Sequence, residues 1–129
     1  MKYLDVNQFD ERDEEIADAL ISLGMSRNAA KMLVYLQNVD EASSRELEKG
    51  TGLHQPEVSI AAKDLEERGW INRREVPKTG KGRPYNMFSL KISFSEIIDQ
   101  LEKKQEKAVD EVRSMIELLK NNVKILNHN

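Results

Sequence analysis

The sequence predicts a mainly α-helical fold with a small β element and one long helix at its C-terminal end. Three observations carry this expectation. Apolar residues recur at steps of three and four over most of the 129 residues, the pattern turns to alternation only between Trp70 and Leu90, and no proline or glycine interrupts the final segment. The length suits one domain with a core plus one appended element, and the expected division is 1–91 and 92–129.

The helices follow in order. From Asp10 to Leu23, Ile16, Leu20 and Leu23 are spaced by four and three, acids crowd the first turn where the helix dipole favours them, and Gly24 ends the segment. Ser26 can cap a second helix, to about Gln37, whose apolar face is Ala29, Ala30, Leu33, Val34 and Leu36. Ser43 and Glu46 have capping-box spacing and open a short helix ending at Gly50. After the turn Thr51–His54 comes a helix with Pro56 in its first turn, where a missing N–H costs nothing, and with Val58, Ala62 and Leu65 on one face. Gly69 stops it. Leu47, Leu53, Val58 and Leu65 are then available to pack between two short helices joined by a turn, the helix-turn-helix arrangement.

Trp70–Val76 and Tyr85–Leu90 alternate as strands do, and the loop between them, Pro77 to Pro84, is rich in glycine, proline and positive charge. Two strands joined by a basic loop directly after a helix-turn-helix make a wing. The expected fold is therefore an α+β winged helix-turn-helix, mainly α, with a two-stranded β-wing and a long C-terminal coiled-coil helix.

That last helix is expected from about Ser93 to Leu126, with Ser93 and Glu96 at capping-box spacing. Phe94, Ile98, Leu101, Gln105, Ala108, Val112, Met115, Leu119, Asn122 and Leu126 alternate steps of four and three, a coiled-coil period. At 1.5 Å per residue such a helix is roughly 50 Å long, more than a domain of this size covers. The residues from Ile98 to Leu126 are thus expected to form a homodimer seam, with Gln105 and Asn122 fixing register. Val109, Ile116, Leu118, Val123 and Ile125 widen the distal apolar stripe, so that half is expected to pack on a further helix as well.

The formal charge is −3, but it is segregated. From Met1 to Gly24 there are seven acids and two bases, whereas from Arg68 to Lys91 there are seven bases and the single acid Glu75. A basic stretch of net +6 is what a phosphate-binding surface needs, whatever the total charge. Cysteine is absent, which excludes disulfides and thiolate chemistry and is compatible with a reducing cytoplasm, the expected location. No apolar run is long enough for a membrane span, and the N-terminus does not read as a secretory signal.

With Val58, Ala62 and Leu65 facing the core, Gln55, Pro56, Ser59, Ile60 and Lys63 point outward. Gln55 can make paired hydrogen bonds to adenine, and Ser59 can bond to base or phosphate. Ile60 could contact a thymine methyl or could be a half-buried packing residue. His54 could contact phosphate or cap the helix. Glu57, Asp64, Glu66 and Glu67 leave this helix less basic than a strong DNA reader. The wing carries the stronger signal: Lys78, Lys81 and Arg83 lie on the loop, and Lys81-Gly82-Arg83-Pro84 resembles the minor-groove core of AT-hook peptides. Arg73 and Arg74 point to opposite faces of their strand, so one of them is expected to reach phosphate.

The succession Thr51-Gly52-Leu53-His54-Gln55-Pro56-Glu57-Val58-Ser59-Ile60, then Leu65 to Ile71, then Lys81 to Pro84, resembles the TrmB-like winged helix-turn-helix regulators of archaea. It is more distantly similar to MarR and ArsR regulators. The resemblance covers about residues 20–91 and implies transcription control, a dimer and a roughly two-fold-symmetric operator in double-stranded DNA. Ile60 departs from it, because related recognition helices often carry a base there. The chain is expected to be too short for the C-terminal sugar-binding domain of larger TrmB-like regulators.

Catalysis and metal binding are not expected. His54 and His128 are far apart with no cysteine between them, and no nucleophile, base and orienting group recur together. No cofactor is implied. The alternative to a DNA-binding regulator is a winged-helix adaptor docking on a transcription complex through its apolar helix.

Overall fold

In the computed structural model the chain is described over residues 9–77, 80 and 82–127, the side chains of 124–127 excepted. Two compact units divide it, Met1–Phe94 and Ser95–Asn129.

The first unit opens with α1 (Glu11–Ser22) and α2 (Arg27–Gln37). Asp10 caps α1: its carboxylate accepts the Asp13 N–H at 2.9 Å, and Asp13 returns the bond by accepting the Asp10 N–H at 3.3 Å. Asp13 is nevertheless buried, and its other oxygen accepts from Asn38 Nδ2 at 3.2 Å, which ties the start of α1 to the end of α2. A buried carboxylate without such donors would be costly. The inner face of α1 is Asp13, Ala17 and Leu20, while Ile16 is half-buried and Leu23 exposed. This differs from the expected Ile16–Leu20–Leu23 stripe because Ala17 and a partnered acid, Asp13, which hydropathy marks as exposed, do the packing. Helix α2 is the centre of the unit. Ser26 Oγ accepts the Ala29 N–H at 3.2 Å, and every residue from Met32 to Leu36 is buried.

A two-residue strand, β1 (Ala42–Ser43), leads without a break into α3 (Ser44–Thr51), and α4 (Gln55–Glu67) follows. Ser43 closes the expected capping box: its hydroxyl accepts the Glu46 N–H at 3.1 Å and Glu46 accepts the Ser43 N–H at 2.8 Å. Gly50 does not end α3, contrary to the sequence expectation. It lies inside the helix against α2, where a Cβ would overlap the Tyr35 ring, and Gly52 is the C-cap with φ +79°. The Thr51 hydroxyl donates to the Leu47 carbonyl at 2.5 Å and accepts the Leu53 N–H at 3.2 Å, fixing the turn between the two helices. Leu47, Leu53, Val58 and Leu65 are all buried between α3, α4 and α2, as their spacing predicts.

Strands β2 (Ile71–Val76) and β3 (Tyr85–Leu90) pair antiparallel, Ile71 opposite Leu90 and Val76 opposite Tyr85. The sheet has three strands rather than the two expected, in the order β1-β3-β2, because Ala42 and Ser43 pair with Phe88 and Met87. Two residues are too few to leave an alternation in the sequence. Trp70, Ile71 and Phe88 complete the core.

The second unit is the body of α5 (Phe94–Asn127), a 34-residue helix. Ile97 and Leu101 are buried. From Glu102 to Val123 every side chain except that of half-buried Gln105 is exposed, Val109, Val112, Met115, Ile116, Leu118 and Leu119 among them. No described helix is long and apolar enough to cross a membrane.

Candidate nucleic-acid interface

Helix α4 presents two unlike faces. Val58, Ala61, Ala62 and Leu65 are buried, while His54, Gln55, Pro56, Ser59, Ile60 and Lys63 are exposed. The five residues expected to point outward are therefore on one surface, with His54 exposed at its start. Ile60 is 72% exposed at its centre, which excludes a packing role for that side chain within the first unit. His54 is the N-cap residue, and its backbone N–H is accepted by Glu57 Oε1 at 2.8 Å.

Three of the four acids on α4 are engaged internally. Glu57 serves the cap, Asp64 pairs with Arg68 at 3.0 Å, and Glu66 pairs with Arg73. Glu67 is exposed one turn beyond Lys63, so the polar face loses its positive character toward the helix C-terminus.

The basic stretch is less available than its net charge suggests. Arg73 makes two hydrogen bonds to Glu66, from Nε at 2.9 Å and from Nη2 at 2.7 Å, and lies 5.3 Å above the Phe88 ring. The hydrogen bond to Glu66 holds the Arg73 guanidinium above its ordinary range, burial opposes that shift, and the Glu66 charge adds to it. Arg74, on the other face of β2, donates to Glu41 Oε1 at 2.6 Å. Arg68 packs 5.0 Å above the ring of buried Trp70. Both arginines of β2 are thus partnered inside the chain, where the alternation of the strand had left one for phosphate. The carboxylates responsible lie on α4, seven residues before Arg73, and just before β1, 33 residues before Arg74.

Arg83 is exposed, and no ion pair engages it among the described residues. Lys78, Lys81 and His128 lie outside the described residues. Gly80 and Gly82 take φ of +75° and +129°, backbone that favours glycine, in the connection between β2 and β3.

A groove of about 810 Å³ runs between the start of α3 and the strand β3, lined among others by Ser44, Arg45, Glu46, Glu48, Arg83 and Tyr85. The sequence gives no sign of it. Arg45 and Arg83 come to line one groove because β1 pairs with β3, and that pairing leaves no periodic trace.

The MarR family profile matches residues 23–82, which hold α2, the helix-turn-helix, β2 and the connection toward β3. The chain has the winged-helix fold of MarR-type regulators. Solved structures resemble the chain over a longer stretch. A possible transcriptional regulator from Methanosarcina mazei Go1 superposes with a TM-score of 0.63 at 16% identity, over 81% of this chain and 85% of that one. Another transcriptional regulator gives a TM-score of 0.53 at 24% identity, over 82% and 69%. A mutant of MarR from E. coli, complexed with operator DNA, gives 0.50 at 21% identity, over 86% and 84%. No curated protein matches the chain in sequence.

Proposed function

We propose that this protein is a DNA-binding transcriptional regulator that works as a dimer, with α4 in the major groove and the wing on the adjacent backbone and minor groove. The observation that carries the reading is the outer face of α4. Hydrogen-bonding groups from Gln55, Ser59 and Lys63 surround an isoleucine that is 72% exposed, and the acids Glu57, Asp64 and Glu66 are turned to partners within the chain. An exposed isoleucine flanked by hydrogen-bonding groups suits a major groove, where thymine methyls accept an apolar contact. The operator bound by the MarR mutant of like fold supports the same reading. The motif Thr51–Ile60 with Lys81–Pro84 supports a TrmB-like specialisation.

The dimer rests on α5. Val112, Met115 and Leu119 share a stripe with Val109, Ile116 and Val123, all exposed in the single chain. Ala108 and Asn122 are exposed on the same seam, Gln105 is half-buried, and the Leu126 side chain lies outside the described residues. Of the first two seam residues, Ile98 is 46% exposed and Leu101 is 3% exposed in the single chain. An apolar stripe of this length in water requires a second helix. Two winged units held by it would set their α4 helices in successive major grooves, about 34–36 Å apart.

The test is a titration against A·T-rich and mixed duplexes at two salt concentrations, with solution mass measured alongside. Salt-sensitive binding by a dimer is expected. A dimer without affinity for any duplex at low salt would overturn the reading and favour docking on another protein.

A further inference from the structure

Of the five arginines between Ser44 and Lys91, three are engaged by carboxylates: Arg68 by Asp64, Arg73 by Glu66 and Arg74 by Glu41. The other two, Arg45 and Arg83, have no ion pair among the described residues, and both line the groove between α3 and β3. Within this stretch the three arginines outside the groove are paired, and the two that line it are not. The Tyr85 and Ser44 hydroxyls, which can donate, line the same channel. Glu46 also lines it, but one of its oxygens accepts the Ser43 N–H; Glu48 is the remaining acid.

We infer that this groove is a phosphodiester site, in which Arg45, Arg83 and the Tyr85 hydroxyl hold the DNA backbone strand that runs between the major groove taken by α4 and the minor groove under the wing. The inference rests on the DNA-binding reading above and adds Arg45 and Tyr85 to it. Guanidinium forks match phosphate oxygens, and a paired arginine would have to give up its carboxylate first. The first helix of a helix-turn-helix crosses the backbone while the second enters the groove. Register puts the start of α3 beside β3, since Ser43 lies opposite Met87, so the same strand can meet Arg45 on the helix and Arg83 at the base of the wing.

The experiment measures affinity of the full-length protein for an A·T-rich duplex as salt is varied. Each phosphate contact contributes about 0.9 to the slope of log K against log salt. Arg45→Ala is expected to flatten the slope by roughly one such contact and Arg45→Ala with Arg83→Ala by about two. Tyr85→Phe should weaken binding without changing the slope. Glu48→Gln should tighten binding several-fold, an effect that misfolding does not produce. A wild-type slope in Arg45→Ala, with binding otherwise intact, would overturn the groove while leaving the DNA reading standing. So would a groove that responds to inorganic phosphate in the wild type but not in Arg45→Ala, with the DNA slope unaltered, since the anion would then be a free one. Absence of wild-type binding at low salt would overturn both.

Discussion

Arg73 on strand β2 grips Glu66 on helix α4 with two parallel hydrogen bonds of 2.9 and 2.7 Å, and so joins the strand to the helix by a side-chain strut. Phe88, its cross-strand neighbour, supports the guanidinium from below. The pair is partly exposed, 41% and 29% at the two side chains, so its strength is that of a surface ion pair with good geometry. A double-mutant cycle with Arg73→Ala and Glu66→Ala, read by urea unfolding, should give a coupling of about 0.5–1 kcal/mol. Additive losses would mean that the two residues act independently.

Gly50→Ala separates packing from helix propensity. Inside α3, alanine is favoured over glycine by about 1 kcal/mol, which alone predicts a gain in stability. The Tyr35 ring occupies the space a Cβ needs, and a buried aromatic between two helices has little room to yield. The expected outcome is a net loss of about 1–3 kcal/mol in the unfolding free energy. A stabilised variant would show that α2 and α3 can move apart.

Asp13 has two roles and Asp10 one. Asp10→Ala removes a cap and should cost about 1 kcal/mol. Asp13→Ala also strips Asn38 Nδ2 of its acceptor on α1, and a loss about 1 kcal/mol greater is expected in the same assay. Equal losses would indicate that the Val34 carbonyl, which Asn38 Nδ2 also reaches at 3.3 Å, suffices.

Ile60→Ala should leave the thermal midpoint unchanged, because an exposed side chain contributes little to the core. On the DNA-binding reading it should weaken binding to a preferred duplex and reduce discrimination between thymine and uracil in that duplex. An affinity unchanged by the substitution would remove Ile60 from the interface.

The α5 stripe makes a prediction about assembly. Leu119→Glu, at a residue 64% exposed in the single chain, should leave the fold of the winged unit intact by circular dichroism and halve the solution mass. A mass equal to that of the wild type would place the contact elsewhere.

The helices and the turn between α3 and α4 were legible because each leaves a local mark. Ser26 and the Ser43–Glu46 pair announce helix starts, and Leu47, Leu53, Val58 and Leu65 fall at spacings that only a helix-turn-helix core buries together. The exposed side of α4 followed from the same spacing. What could not be read was set by contacts between different elements of the chain. Strand β1 has two residues and no period. Gly50 looks like any helix terminator until Tyr35 is placed over it. Arg73 and Arg74 count as free positive charge in a sequence, and only the approach of Glu66 and Glu41 shows that they are already spoken for.

Ser43 is at once the last residue of β1 and the N-cap of α3, so strand and helix meet with no connecting residue. One inserted residue at this joint would turn α3 by about 100° about its axis. Leu47 would leave the core, Gly50 would rotate away from Tyr35, and the cap or the strand pair would be lost. The joint therefore tolerates a change of side chain at the cost of a cap but not a change of length, which makes it the hinge on which the orientation of the helix-turn-helix depends.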